Sequence, residues 1–417
     1  MARPYDLIIF GASGFTGRLV CEQLLKHYPG NRIRWAMAGR SKDKLEKTKE
    51  KLRKYGFVAA ETIPTLVADC SDKESLDEMT STTNTIITTV GPYSLYGTPL
   101  IESCLRSETH YCDLTGEIPW VRKNVQSFHE EAERKSVKIV HCCGFDSVPF
   151  DLGVHMVFKD QEAAGRELAA VETLVGGVKG GVSGSTIASG FAVAELPAEE
   201  LQAVSDPHCL DPAASTWKGP KMVDTFGMGF SRLAGKHTAP FIMATVNTRI
   251  VWRSHALLGH SYGERFAYKE TMEASGRLSA FLSSLGLGFG AMFIAIRPIR
   301  NLVRRFLPKP GEGPSREAML KGYWKLHVYA ESVPKGGSGG GESVVHGLVA
   351  GQHDGGYYDT SRMLLECALA IATQGKELKE AGYREGGVLT PGSAVGVVGV
   401  ERLRRAGFVF EMVPITE

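Results

Sequence analysis

At 417 residues and 45.2 kDa the chain is long enough for two to three ordinary domains and a large core. Hydrophobic residues at 43% and charged residues at 23% are usual for a folded globular protein, which excludes wholesale disorder and a multi-span membrane protein. Lys and Arg number 48 against 46 Asp and Glu, a balance of +2 that argues against nucleic-acid binding. The eight cysteines show no Cys-x-x-Cys spacing, and the adjacent pair Cys142-Cys143 is too close for an ordinary disulfide or zinc site. A reduced, intracellular setting is expected. The opening Met-Ala-Arg-Pro-Tyr-Asp lacks the long apolar stretch of a secretory signal, so the mature protein is expected to start near Met1.

Residues 7–10, 33–38, 65–69, 85–90, 111–114 and 137–142 are short apolar, β-rich runs. They alternate with helical patterns at 18–26, 42–54, 75–79, 100–106 and 121–135. Six strands separated by helices predict a doubly wound parallel sheet of the Rossmann type over residues 1–155. The first strand runs into Gly11-Ala12-Ser13-Gly14-Phe15-Thr16-Gly17, which opens the first helix. Glycine there permits the turn and lets the backbone approach a pyrophosphate, whose charge rests on helix N-terminal amides.

The second strand ends Ala38-Gly39-Arg40-Ser41, where an NAD-binding fold usually carries Asp or Glu for the ribose hydroxyls. A guanidinium suits a 2′-phosphate, so Arg40, with Ser41 and Lys44, predicts NADP(H); no metal is expected. Asp69, closing the third strand, either meets the adenine or caps the next turn. Gly91 and Pro92 close the fourth strand, where open sheets bind ligands, and would wall the nicotinamide. Asp113 and Glu117 after the fifth strand read equally as relay carboxylates or helix caps. No tyrosine has a lysine four residues on, so the proton donor of short-chain dehydrogenases is missing, and no His-x-x-x-His pair suggests zinc. Tyr93, Asp146 and Ser147 are the candidate catalytic groups.

After the helix at 151–158, residues 171–185 read as sheet of a second, mixed α/β domain over 156–387, which the tail 388–417 leaves to rejoin the first. Gly184-Ser185-Thr186 is a helix start. Leu278 to Ile296 is free of charge over nineteen positions but rich in Gly and Ser, and Arg297, Arg300, Arg304, Arg305 and Lys309 follow among apolar residues. That pairing predicts a membrane-associating segment at 278–309, an apolar run and a basic amphipathic helix on an anionic surface. Residues 323–331 and 344–351 are strands joined by a glycine-rich loop, and 360–373 is an apolar helix.

The glycine turn, Ala38-Gly39-Arg40, Val90-Gly91-Pro92-Tyr93, Asp113–Glu117, Gly144-Phe145-Asp146-Ser147-Val148-Pro149 and Gly387–Gly392 together resemble the saccharopine dehydrogenase-like oxidoreductases, a group that includes trans-acting enoyl reductases. The resemblance implies an NADP-binding Rossmann domain, a mixed α/β second domain and a link to lipid metabolism. The leading expectation is an NADPH-dependent oxidoreductase reducing a lipid-linked enoyl or carbonyl group. Its substrate would be a lipid or acyl chain, and its setting the surface of a membrane, lipid droplet or organelle such as the mitochondrion. A homodimer is compatible with the sequence. The alternatives are a soluble saccharopine-type amino-acid dehydrogenase, whose dicarboxylic substrate would need an arginine clamp from Arg249 and Arg253, and a non-catalytic nucleotide-binding protein on a lipid surface.

Overall fold

The computed structural model describes residues 3–30, 32–180, 193, 195–211, 216–296, 298, 313–337 and 341–415. The first 140 residues alternate as the sequence predicts: β1 (Tyr5–Phe10), α1 (Phe15–His27), β2 (Trp35–Gly39), α2 (Lys42–Lys54), β3 (Thr65–Val67), α3 (Lys73–Ser81), β4 (Thr83–Thr88), α4 (Tyr93–Arg106), β5 (His110–Cys112), α5 (Ile118–Arg134) and β6 (Lys138–Val140). All six strands are parallel and stand in the order β6-β5-β4-β1-β2-β3. Side-chain alternation along β1 sends Leu7 and Ile9 into one core and Ile8 and Phe10 into another, so the central strand is apolar throughout.

Later chain completes this sheet. Gly387–Leu389 (β13) adds a seventh parallel strand beside β6. Three residues are too short for alternation to mark them. The apolar helix Thr360–Thr373 is buried along almost its whole length, and its Leu364 and Ala368 share a core with Leu7, Ile9 and Val20.

The second sheet is mixed, with order β14-β12-β11-β7-β10-β9-β8. Its strands are β7 (Arg166–Lys179), β8 (Gly229–Ser231), β9 (Lys236–Pro240), β10 (Ala267–Ala274), β11 (Tyr323–Pro334), β12 (Ser343–Gly351) and β14 (Val409–Val413). Only β7 and β10 pair in parallel. The chain end therefore divides between the layers: β13 joins the first sheet and β14 the edge of the second.

Helix α6 (Val148–Ala163) links the two layers and is buried continuously from Val148 to Phe158. Gly153 lets it lie close to the second sheet, since a Cβ there would stand 3.0 Å from Val349 and 3.3 Å from Val328. Helix α7 (Ala244–Leu257) packs against both α6 and β10. Helix α8 (Arg277–Ala295) rests on β9 and exposes Leu278, Phe281, Leu282, Leu285 and Phe289. Among the described residues no helix is long and apolar enough to cross a membrane. The Gly184–Ser189 helix start and the basic stretch from Arg297 to Lys309 lie outside the described residues, Pro298 apart.

Candidate active site

At the end of β1 the chain must reverse within a few residues, and Gly11 does so at φ +88°, a conformation strained for any residue with a Cβ. Its N–H donates to Ala38 O at 2.9 Å, and its carbonyl accepts from Gly14 N at 2.9 Å. A Cβ on Gly17 would overlap that same carbonyl, so α1 approaches the turn only because position 17 is bare. Gly14 caps α1 without a side chain, which leaves the first-turn amides, those of Phe15 and Thr16 included, to an incoming anion. Ser13 is exposed at the tip, while the Phe15 ring packs edge-on against Tyr357 at 5.4 Å. These features fit a dinucleotide pyrophosphate.

Arg40 stands exposed just past β2, and among the described residues it makes no ion pair. Ser41 accepts from Lys44 N at 3.4 Å and thereby caps α2, while the Lys44 side chain is exposed on the same turn. Asp69 accepts from the Ser71 amide at 2.9 Å and its hydroxyl at 2.8 Å. Those bonds, then the charge of nearby Arg40, hold its carboxyl below the usual range. The turn-capping role is thus realised, and the same contacts place Asp69 on the edge that Arg40 guards.

The fourth strand delivers a cis Gly91-Pro92 bond, with Gly91 exposed and Pro92 half-buried before α4. Glu117 reaches back to accept from the Tyr93 and Ser94 amides at 2.8 and 2.9 Å, so its carboxylate caps α4. The Tyr93 hydroxyl is buried between Thr88 O and Leu114 N, 3.3 Å from each, and its ring stacks on Trp120 at 5.9 Å. Burial raises that hydroxyl well above its ordinary value. Asp113 is fully buried, 2.7 Å from His141 Nδ1 and 2.9 Å from the Tyr111 hydroxyl. It also accepts from the amide of Cys142, which holds the left-handed φ of +59°. Asp113 therefore fixes the backbone at the end of β6.

Four residues on, half-buried Asp146 has no hydrogen bond or ion pair among the described residues. Burial lifts its carboxyl from 3.8 to about 6. Ser147, wholly buried, donates to Asn247 Oδ1 at 3.0 Å. The Asn247 amide donates to Glu270 Oε2 at 2.9 Å, and the Tyr268 hydroxyl lies 2.8 Å from Glu270 Oε1. Burial first, and the charge of Asp146 in part, push the Glu270 carboxyl well above the usual range. Asn247, Glu270 and Tyr268 escape sequence reasoning. The one signal available was an amide and a carboxylate within otherwise apolar stretches of helix and strand.

The structure joins Asp146 and Ser147 to this second-layer cluster and leaves Tyr93 behind the β4 edge, in the α4–α5 packing. The arginine clamp is not assembled. Arg249 is spent on Asp224, at 2.5 and 2.7 Å, and on two backbone carbonyls; Arg253 is spent on Val388 O and Leu210 O. Among the described residues no group of His, Cys, Asp or Glu could hold a metal.

Residues 7–140 match the model of the saccharopine dehydrogenase NADP binding domain. A Mycobacterium tuberculosis protein carrying the name trans-acting enoyl reductase is 39% identical, over 97% of this chain and 96% of its own. The chain belongs to the saccharopine dehydrogenase-like oxidoreductases, of the trans-acting enoyl reductase type. The trans-acting enoyl reductase of Mycobacterium ulcerans is 34% identical over 98% of this chain and 97% of its own. The apo saccharopine dehydrogenase (L-Glu forming) of Saccharomyces cerevisiae superposes with a TM-score of 0.53, covering 99% of this chain and 100% of that one at 12% identity, a likeness of fold alone. This saccharopine dehydrogenase-like protein is an NADP-dependent oxidoreductase.

Proposed function

We propose that this oxidoreductase reduces the carbon–carbon double bond of an acyl chain, with Asp146 supplying the proton. One observation carries the reading: a desolvated carboxyl, without a partner among the described residues, stands at the ligand edge of the first sheet. Bound NADPH would supply a hydride to the β-carbon of the enoyl group. The electron pair of the double bond moves toward the acyl carbonyl, and the α-carbon then takes the proton from the Asp146 carboxyl. With a value of about 6 that carboxyl is a workable acid near neutrality. Ser147 is held by Asn247, and burial favours the uncharged form of Glu270, which lessens its opposition to charge developing on the carbonyl side. The names of the relatives support an enoyl substrate, and the occupied Arg249 and Arg253 speak against a dicarboxylic one. Tyr93 takes a positioning role, bracing the start of α4 beside Pro92.

The apolar exposed face of α8, followed in sequence by the basic run to Lys309, supports work at a lipid surface inside the cell. The test is NADPH oxidation with 2-enoyl thioesters, free and carrier-linked, beside saccharopine oxidation with NADP. Reduction of an enoyl thioester without saccharopine turnover is the expected result. Saccharopine turnover alone would overturn the reading.

A further inference from the structure

A cavity of about 250 Å³ lies between α4 and α5, directly beyond the turn that follows β4. Ser94 and Thr98 form one wall, and Trp120, Asn124 and Phe128 form the other at helical spacing, with Val193 and Leu196 closing over them. Its floor is the Trp120 ring, which lies flat on α4 because residue 97 is glycine: a Cβ there would collide with Cζ2. The indole Nε1 donates to Thr98 Oγ1 at 3.0 Å, so the ring is fixed before any ligand arrives.

The larger polar groups around this cavity are already matched. Glu117 caps α4, Asn124 contacts His141 at 3.3 Å, and Lys123 pairs with Glu200 at 2.8 Å. A polar ligand would have to break those bonds, whereas an apolar one needs only the ring faces and aliphatic groups that remain. Leu95 and Tyr96, 65% and 43% exposed, follow Ser94 on the first turn of α4. On the inner side Gly116, next to Glu117, faces Met243 and Val246 at the start of α7, one residue from Asn247.

From this lining and its nearness to the start of α7 we infer that the α4–α5 cavity receives the hydrocarbon tail of the acyl substrate, resting on the enoyl reading above. Trp120 is then the surface on which the chain lies, and chain length is read here while reduction occurs at Asp146.

The direct test is quenching of Trp120 fluorescence by a saturated thioester brominated along its chain, a ligand that binds without turnover. Quenching is expected in the wild type, strongly reduced in Trp120→Phe, and reduced in Ser127→Trp, which fills the mouth from an exposed helix position. The kinetic arm compares dodecenoyl with butenoyl thioesters. Ser127→Trp should lower kcat/KM at least 10-fold for the long substrate and within 2-fold for the short one, with stabilisation by NADPH unchanged. Equal quenching in wild type and Trp120→Phe, or equal kinetic loss at both lengths, would overturn the tail assignment. Tail-dependent quenching without any enoyl turnover would retain the cavity and defeat the enoyl reading instead.

Discussion

Arg40 and Asp146 show what exposure does to a charge. Arg40 lies in solvent past β2, where its guanidinium costs nothing to keep and is free to grip a phosphate. A charge-assisted hydrogen bond contributes about 1.5–3 kcal/mol, so Arg40→Ala should weaken NADPH binding roughly 10- to 100-fold and leave NADH unchanged. Titration of both nucleotides against both proteins checks this. Asp146 is the opposite case, since burial favours its neutral form. Its native value of about 6 lies above the ordinary 3.8, so the fold holds the extra proton between these values. Stability from this site is therefore full below about 3.8 and is lost as pH rises through about 6. As the acid, it must be protonated, and the rate of reduction should fall as pH rises through the same range. Asp146→Asn should flatten that limb, cut kcat by roughly 10²- to 10⁴-fold and leave NADPH binding intact. An unchanged profile would remove Asp146 from the chemistry. The strand-end motif drew notice to Asp146 and Ser147, because both stand in a short local run. Asn247 and Glu270 were not, because they meet Ser147 only across a fold whose second layer is remote in sequence.

At the scale of elements, every strand of the first sheet through β6 was readable, because strands buried on both faces must be apolar and the helices between them amphipathic. Strand β13 was not, since its pairing with β6 rests on three residues that neither alternate nor stand near their partner in sequence. Strand β14 followed an edge of the second sheet because β12 offered an unpaired antiparallel partner over His346 to Ala350. Helix α8 carries the element-scale prediction. Its exposed Leu282 and Leu285, with the following arginines in the sequence, should bring the protein down with anionic vesicles at low salt and less with neutral ones. Leu282→Asp with Leu285→Asp should abolish co-sedimentation without lowering the thermal midpoint, because both side chains face solvent. Retention of the double variant on vesicles would exclude this face as the contact.

Across the whole molecule, α6 leads from the first seven-stranded sheet to the second, on which it packs, and the candidate site draws residues from both. Asp146 and Ser147 come from the end of the first sheet, Asn247 from α7, and Glu270 and Tyr268 from the second sheet. The proposed nucleotide half of this site depends on one local turn, whose glycines stand out by their spacing. The substrate half depends on tertiary contact, so its residue types revealed only that something polar was buried there.

The most direct test of the account is isotopic. The protein is given NADPH carrying deuterium on the transferable position, with a 2-enoyl thioester, and the product is analysed by mass. The account predicts a saturated thioester with one deuterium at the β-carbon, and, with ordinary NADPH in heavy water, one at the α-carbon. Tight NADPH binding with no saturated, labelled product from any enoyl chain length would contradict it.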